Sequence, residues 1–157
     1  MTDLERENVE DYPRPPVVEA VPHHITIRLG GALVAETTRA LRVLETFHAP
    51  SYYLPPTDIC AALRPSSRTS FCEWKGQARY FDVLVGDTIA ADAAWAYDAP
   101  TERFSELAGY LAFYAGSMGE VWVGTLRVIP QQGDFYGGWV TPNLEGRIKG
   151  APGTRHW

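Results

Sequence analysis

The chain is poor in the features that mark secreted, membrane and disulfide-stabilised proteins. Its 157 residues include two cysteines, Cys60 and Cys72, which are too few for a disulfide framework and lack the spacing of a metal site. The sequence has no apolar run of about eighteen residues and no signal-peptide core, so we expect no membrane partner. Together with the unpaired thiols, this favours a cytoplasmic protein.

Positive charge is also scarce. The chain has 14 Lys and Arg against 19 Asp and Glu, which gives a formal net charge of −5. No basic face of the kind that binds a phosphate backbone is visible, so nucleic acid is not an expected partner. The 4 histidines have no ligand spacing with one another or with the cysteines, and we expect no metal site. The sequence does not indicate a cofactor.

Most of the negative charge lies at the start of the chain. Residues 1–12 hold five acidic residues against Arg6, which accounts for −4 of the −5. This acidic stretch and the prolines that follow it predict a flexible arm over residues 1–15. Residues 16–157 are predicted to form a single β-rich domain, which at this size buries roughly two-thirds of its unfolded surface.

Short runs of alternating apolar residues predict β-strands. Ile25, Ile27 and Leu29 recur at every second position, which is the period of a half-buried strand. Gly30-Gly31 follows at once, and two glycines between apolar runs predict a tight hairpin. Gly86-Asp87 predicts a second one. The 12 prolines and 14 glycines favour short elements, so the fold is predicted to be mainly β.

Two short helices are predicted among the strands. Residues 57–64 offer Thr57 as an N-cap and a narrow apolar stripe, and Cys60 is interpreted as a small core residue of this helix. A second helix is predicted to begin after Pro100 and to end near Gly109.

The C-terminal segment combines turn residues with large aromatic ones. Nine of the 28 residues from Pro130 onward are glycine or proline, yet Phe135, Tyr136, Trp139 and Trp157 are interleaved with them. Disordered tails lack such aromatics. We therefore predict that this segment wraps against the domain, with Trp139 and Trp157 as anchors.

Residues 69–80 concentrate reactive side chains around Gly76. Lys75 is a candidate for holding a carboxylate or phosphate, because the neighbouring glycine lets the backbone approach a ligand. A cation beside Cys72 would stabilise a thiolate and make it nucleophilic, but no histidine lies close in sequence to act as a base. The alternative is an inert buried thiol beside a solvated lysine.

The candidate ligand-binding residues are polar and aromatic side chains in segments that otherwise resemble core. They are Glu45, Tyr53, Asp58, Cys72, Lys75, Trp95 and Tyr97, and Tyr80 and Tyr114 extend the aromatic set. Aromatic walls with a few polar groups are typical of a small-molecule site. They are equally typical of the core of a small β domain. Glu45 either faces this pocket or reaches water at the end of its strand.

Several spaced motifs resemble one known family. They are residues 38–45, Tyr52-Tyr53-Leu54-Pro55 with Asp58, Cys72-Glu73-Trp74-Lys75-Gly76, Trp95-Ala96-Tyr97 with Pro100, Ala112-Phe113-Tyr114, and Tyr136-Gly137-Gly138-Trp139 with Lys149-Gly150. In this order they are similar to the domain-of-unknown-function family 427, over residues 16–157. The resemblance implies a compact antiparallel β-tent or barrel-like single domain with one or two short helices, found as a small bacterial protein.

Three functions of different classes are compatible with the sequence. The first is binding of a small, anionic molecule in the polar and aromatic pocket. The second is an enzyme of the transferase type, with Cys72 or Lys75 as nucleophile and Glu45 or Asp58 as acid or base. Its reaction type follows a nucleotidyltransferase label attached to the family, although the Gly-Ser pair and metal-binding aspartates of such enzymes are not visible here. The third is an interaction module whose aromatic tail docks a partner or a second copy.

Overall fold

Short strands make up most of the described chain. The structure is a computed structural model and describes residues 4–132 and 137–150. Within these ranges the strands are β1 Glu7–Asn8, β2 Val17–Val21, β3 Ile25–Leu29, β4 Ala32–Thr37, β5 Ala40–Leu44, β6 Ser51–Tyr53, β7 Ala62–Cys72, β8 Gly76–Val85, β9 Thr88–Ala96, β10 Leu111–Phe113, β11 Glu120–Val123, β12 Leu126–Arg127, β13 Ile129–Pro130, β14 Trp139–Val140 and β15 Leu144–Glu145. The 3₁₀ helices are Val9–Asp11, Pro56–Asp58, Glu102–Leu107 and Ala115–Ser117.

Three antiparallel sheets form the body of the domain. One has the strand order β10-β9-β8-β7, a second has β12-β11-β3-β4, and a third has β2-β5-β6. The first and third are joined where Leu54 and Leu111 exchange backbone hydrogen bonds of 2.8 and 2.9 Å. The described strands do not close into a barrel. The prediction of a mainly β, antiparallel single domain is confirmed.

Alternation of apolar residues explains how the sheets pack. Ile25 and Ile27 on β3 are fully buried, and the residues between them are only partly covered. Gly30 and Gly31 join β3 to β4 with φ values of 59° and 80°, so both occupy the left-handed region that a primed turn requires. Gly86 joins β8 to β9 with a φ of 57°. Both predicted hairpins are confirmed.

The helix predicted over residues 57–64 is wrong. Only Pro56–Asp58 form a 3₁₀ turn, and β7 begins at Ala62 and continues through Pro65. A proline is tolerated there because β7 is the outer strand of its sheet, where a missing N–H breaks no ladder bond. Cys60 is exposed, so its assignment to the core is also wrong.

The second predicted helix exists in a tighter form. Glu102–Leu107 is a 3₁₀ helix that buries Phe104 and Leu107, and Gly109 follows it with a φ of 76°. None of the helices among the described residues is long and apolar enough to cross a membrane.

The two ends of the described chain lie against each other. β1 pairs with β15 in parallel, and Val9 is fully buried beside Leu44. The flexibility of the arm over residues 1–15 stays a prediction, but its described part is packed at Val9. Trp139 is buried, as the wrapped tail requires. Phe135, Tyr136 and Trp157 lie outside the described residues.

Candidate functional site

A cavity of about 280 Å³ opens between the β7–β8 hairpin, the end of β5 and the segment around Gly138. Its wall includes six of the seven candidate residues: Glu45, Tyr53, Cys72, Lys75, Trp95 and Tyr97. Tyr80 and Tyr114 also line it. Side chains from β5, β6, β7, β8 and β9, more than 50 residues apart in sequence, therefore meet in one place.

The β7–β8 turn holds Lys75 in the cavity wall. Cys72 ends β7 and pairs with Gly76 at the start of β8, which leaves residues 73–75 as the turn. Thr101 fixes that turn from outside, since its N–H donates to the Lys75 carbonyl at 3.1 Å and its hydroxyl donates to the Trp74 carbonyl at 2.6 Å. Gly76 has a φ of 105°, which explains why a glycine follows the lysine.

The side chain of Lys75 is buried, and no carboxylate of the described residues forms an ion pair with it. The residue is 8% exposed, and its ammonium lies 5.8 Å from the centre of the Tyr97 ring. Among the residues that the structure describes, no carboxylate is within ion-pair distance of the Lys75 ammonium. Buried charges in proteins are normally paired, so this arrangement leaves a cation available to an anion in the cavity.

Aromatic rings form much of the rest of the wall. Trp95 and Tyr97 lie two residues apart and project to the same side of the chain, as their spacing predicts. The Trp95 ring lies 4.5 Å from that of Tyr114 and 6.2 Å from that of Tyr80. Burial raises the pKa of the Tyr53 and Tyr97 phenols above the ordinary tyrosine value. These phenols are therefore neutral at physiological pH.

Glu45 and His48 belong to a loop that hydrogen bonds hold against other segments. Phe47, between them, has a φ of 67°, and its carbonyl accepts from the N–H of Lys149 at 2.6 Å. The His48 N–H donates to the Glu45 carbonyl at 3.0 Å. The Glu45 side chain is 20% exposed and lines the cavity, so of its two interpretations the structure favours the pocket.

Gln131 connects this loop to the C-terminal segment. Its side-chain oxygen accepts from the Ala49 N–H at 3.2 Å, and its amide nitrogen donates to the Lys149 carbonyl at 2.8 Å. The same nitrogen lies 3.2 Å from Nδ1 of His48. Gln131 is 3% exposed, so these bonds satisfy a buried amide.

A second chamber of about 490 Å³ adjoins the first and shares Glu45, His48, Glu73 and Trp74 with it. Three cations line it: Arg14, Arg147 and Lys149. Arg147 is bonded to Glu10 at 3.1 Å, which lowers the pKa of that carboxyl. Within residues 4–132 and 137–150, no three His, Cys, Asp or Glu side chains are grouped to hold a metal ion.

Asp58 does not lie in this cavity. Its carboxylate accepts from the Thr37 hydroxyl at 2.6 Å and from the Arg39 guanidinium at 2.9 Å, and these two bonds lower its pKa. Thr37 in turn accepts from the Arg39 N–H at 2.9 Å. Asp58 therefore ties the Pro56–Asp58 turn to the β4–β5 connection.

Two further residues of the cavity wall, His48 and Gln131, have no motif in the sequence that marks them. His48 lies 24 residues before Cys72, so their positions in the sequence do not predict that they share a cavity. Gln131 lies among glycines and prolines with no motif around it. The glycine pair Gly137-Gly138 did carry one, as part of the family resemblance, and both line the cavity.

The fold and the clustered motifs agree with a comparison against known families. The model of the domain of unknown function DUF427 matches residues 17–124, and the chain belongs to this family. The match covers β2 through β11, which include Lys75 and the aromatic wall, and ends before Gln131 and Gly138. A comparison with curated proteins finds no match.

Proposed function

We propose that this protein binds a small anionic molecule with a flat, apolar body in the cavity beside Lys75. The observation that carries the proposal is the buried ammonium without a carboxylate partner among the described residues. A ligand carboxylate or phosphate would supply the missing charge and accept charge-assisted hydrogen bonds. The adjoining cations Arg14 and Lys149 favour the same sign of ligand.

The cavity size and wall support a ligand of about one ring. An apolar cavity of about 150 Å³ accommodates benzene. The present cavity of about 280 Å³ leaves room for a ring and a polar substituent. Trp95 and Tyr97 contribute aromatic surface to the wall, and Lys75 lies over the Tyr97 ring. An aromatic or similarly planar anion therefore matches both the cation and the aromatic surface.

Benzoate, phenyl phosphate and the neutral benzyl alcohol are suitable probes. Trp74 and Trp95 line the cavity, so quenching of tryptophan fluorescence reports occupancy. Both anions are expected to bind better than benzyl alcohol. Loss of a charge-assisted bond costs about 1.5–3 kcal/mol, so Lys75→Met is expected to weaken their binding about tenfold or more.

Lys149→Met is the matched control, because Lys149 is the other lysine of the chain and lines only the outer chamber. Its removal is expected to weaken benzoate binding less than removal of Lys75. The proposal is overturned if benzoate and phenyl phosphate bind no better than benzyl alcohol. It is also overturned if the two anions bind to Lys75→Met as well as to the original protein.

A second candidate is an enzyme of the transferase type that uses the Cys72 thiol. The observation in its favour is that His48, a possible base, lines the same cavity as Cys72. The two cysteines provide an internal comparison, because Cys60 is exposed and Cys72 is half-buried. In this case Cys72 reacts with a thiol reagent at pH 7 faster than Cys60. Slower labelling of Cys72 excludes the covalent version.

The cytoplasmic location predicted from the sequence belongs with this proposal. Both cysteines are free, which suits a reducing compartment. Measuring the oxidation state of the two thiols in the cell of origin tests it.

A further inference from the structure

The side-chain amide of Gln131 has only one orientation that satisfies its neighbours. The Ala49 N–H donates to one side of the amide at 3.2 Å, so that side must be the oxygen. The Lys149 carbonyl accepts from the other side at 2.8 Å, so that side must be the NH₂ group. Both partners are backbone groups with invariable roles, which fixes the amide without reference to His48.

The fixed amide dictates the protonation of the imidazole. The second hydrogen of the Gln131 NH₂ group faces Nδ1 of His48 at 3.2 Å, so Nδ1 must be an acceptor. We propose that Gln131 is a positioning residue that holds His48 as the neutral tautomer with its proton on Nε2, which makes His48 a hydrogen-bond donor of the cavity wall. A proton on Nδ1 would place two N–H groups against each other.

The cations around His48 also favour the neutral imidazole. Lys75, Lys149 and Arg14 face it across the two chambers, and Glu45 and Glu73 are the carboxylates that line the same space. Burial, followed by Lys149, Lys75 and Arg14, lowers the pKa of His48 to about 4. Nε2 lies 3.9 Å from the Glu45 carboxylate, which is beyond hydrogen-bond distance. At neutral pH the imidazole is therefore uncharged.

This tautomer distinguishes the two candidate functions. A base for the Cys72 thiol needs a free nitrogen lone pair, but Nδ1 is bonded to Gln131 and Nε2 carries the proton. The tautomer therefore argues against His48 as the base for Cys72, and it holds independently of the proposed function.

Nitrogen NMR of the ¹⁵N-histidine-labelled full chain tests the inference. The chain has 4 histidines, and comparison with His48→Gln assigns the signals of His48. The expected spectrum at pH 7 has a proton on Nε2 and a bare Nδ1, unchanged down to pH 5. A proton on Nδ1 of His48, or a mixture of tautomers, observed in the unsubstituted protein is enough to overturn the inference.

Gln131→Glu gives a second test with a matched control. A carboxylate accepts from Nδ1–H, so the proton is expected to move to Nδ1 and the pKa of His48 to rise by about one to three units. Gln132→Glu adds the same charge at the exposed neighbouring position and is expected to leave the tautomer unchanged. An unchanged tautomer in Gln131→Glu overturns the role of Gln131.

Discussion

The indole ring of Trp139 stacks on the ring of Tyr52, with centroids 4.9 Å apart and planes 19° from parallel. The Trp139 N–H also donates to the carbonyl of Phe113 at 2.9 Å. Tyr52 belongs to β6 and Phe113 to β10, so one side chain of the C-terminal segment contacts two sheets at their junction. Trp139 is therefore part of the core.

Replacement of Trp139 separates its ring packing from its hydrogen bond. Trp139→Ala is expected to lower the free energy of unfolding by about 3–5 kcal/mol, since it removes a large buried side chain. Trp139→Phe keeps a ring but removes the hydrogen bond to the Phe113 carbonyl, at a cost of about 1–3 kcal/mol. Urea denaturation measures both. Trp122→Phe is the control, because Trp122 is only half-buried, and equal losses at the two positions would contradict the role of Trp139.

His48 makes stability dependent on pH in the mildly acidic range. Its pKa of about 4 in the folded protein is below the ordinary value of 6.5, so the unfolded chain takes up a proton first as the pH falls. Stability is therefore full above pH 6.5 and is lost as the pH falls toward 4. From pH 7 to pH 5 this loss is about 2 kcal/mol.

His48→Gln removes the titrating group and tests this dependence. The change in urea midpoint between pH 7 and pH 5 is expected to be smaller in His48→Gln than in the original protein. His24→Gln is the control, because His24 is exposed and directly precedes β3. Identical pH dependence in His48→Gln and the original protein would show that His48 titrates normally.

Gly138 is expected to be sensitive to the smallest substitution. A Cβ atom at this position would lie 2.5 Å from the Ala49 carbonyl oxygen and closer still to Oε1 of Gln131. Gly138→Ala should therefore cost about 1–3 kcal/mol and displace the Gln131 amide. At Gly116 the nearest atom would be a Pro130 side-chain carbon at 3.5 Å, so Gly116→Ala is the matched control. Equal thermal midpoints for the two variants would contradict the close contact.

Asp58→Asn tests whether the polar contacts of Asp58 with Thr37 and Arg39 are independent of the cavity. The substitution removes the anionic partner of Arg39 and weakens acceptance from Thr37, so stability should fall. Because Asp58 lies outside the cavity, benzoate quenching of tryptophan fluorescence should be unchanged. Weaker benzoate binding in Asp58→Asn, measured where both proteins are fully folded, would place Asp58 in the site after all.

Local signals predicted the fold where geometry is set by neighbours in sequence. Gly30-Gly31 and Gly86 sit in hairpins because positive φ is cheap only for glycine, and the period of two in β3 reports its buried face. The helix predicted over residues 57–64 is wrong because a capping residue and an apolar stripe also fit a turn that is followed by an edge strand. The position of β7 at the edge, which makes Pro65 harmless, is a property of the whole sheet.

The part of the candidate site that lies in local motifs could also be predicted from the sequence. Lys75 and Trp95 carried local motifs, and the fold brings them to one cavity. His48 and Gln131 owe their roles to contacts across 83 positions of the chain. Such contacts leave no period or spacing in a single sequence. The sequence predicts Asp58 in the pocket, whereas in the structure Asp58 bonds to Thr37 and Arg39, and no spacing in the sequence indicates these contacts.

The most direct test of an anion site at Lys75 is the free energy of unfolding of Lys75→Met, with and without benzoate. An ammonium that is buried without a carboxylate partner, as Lys75 is among the described residues, costs stability. Without benzoate the variant is therefore expected to be at least as stable as the original protein. Benzoate should stabilise the original protein more than the variant. Arg42→Met is the control, since Arg42 is 13% exposed and paired with Glu7 and Glu19, and its loss should destabilise. Destabilisation by Lys75→Met without benzoate, or equal stabilisation of both proteins by benzoate, would contradict the anion site.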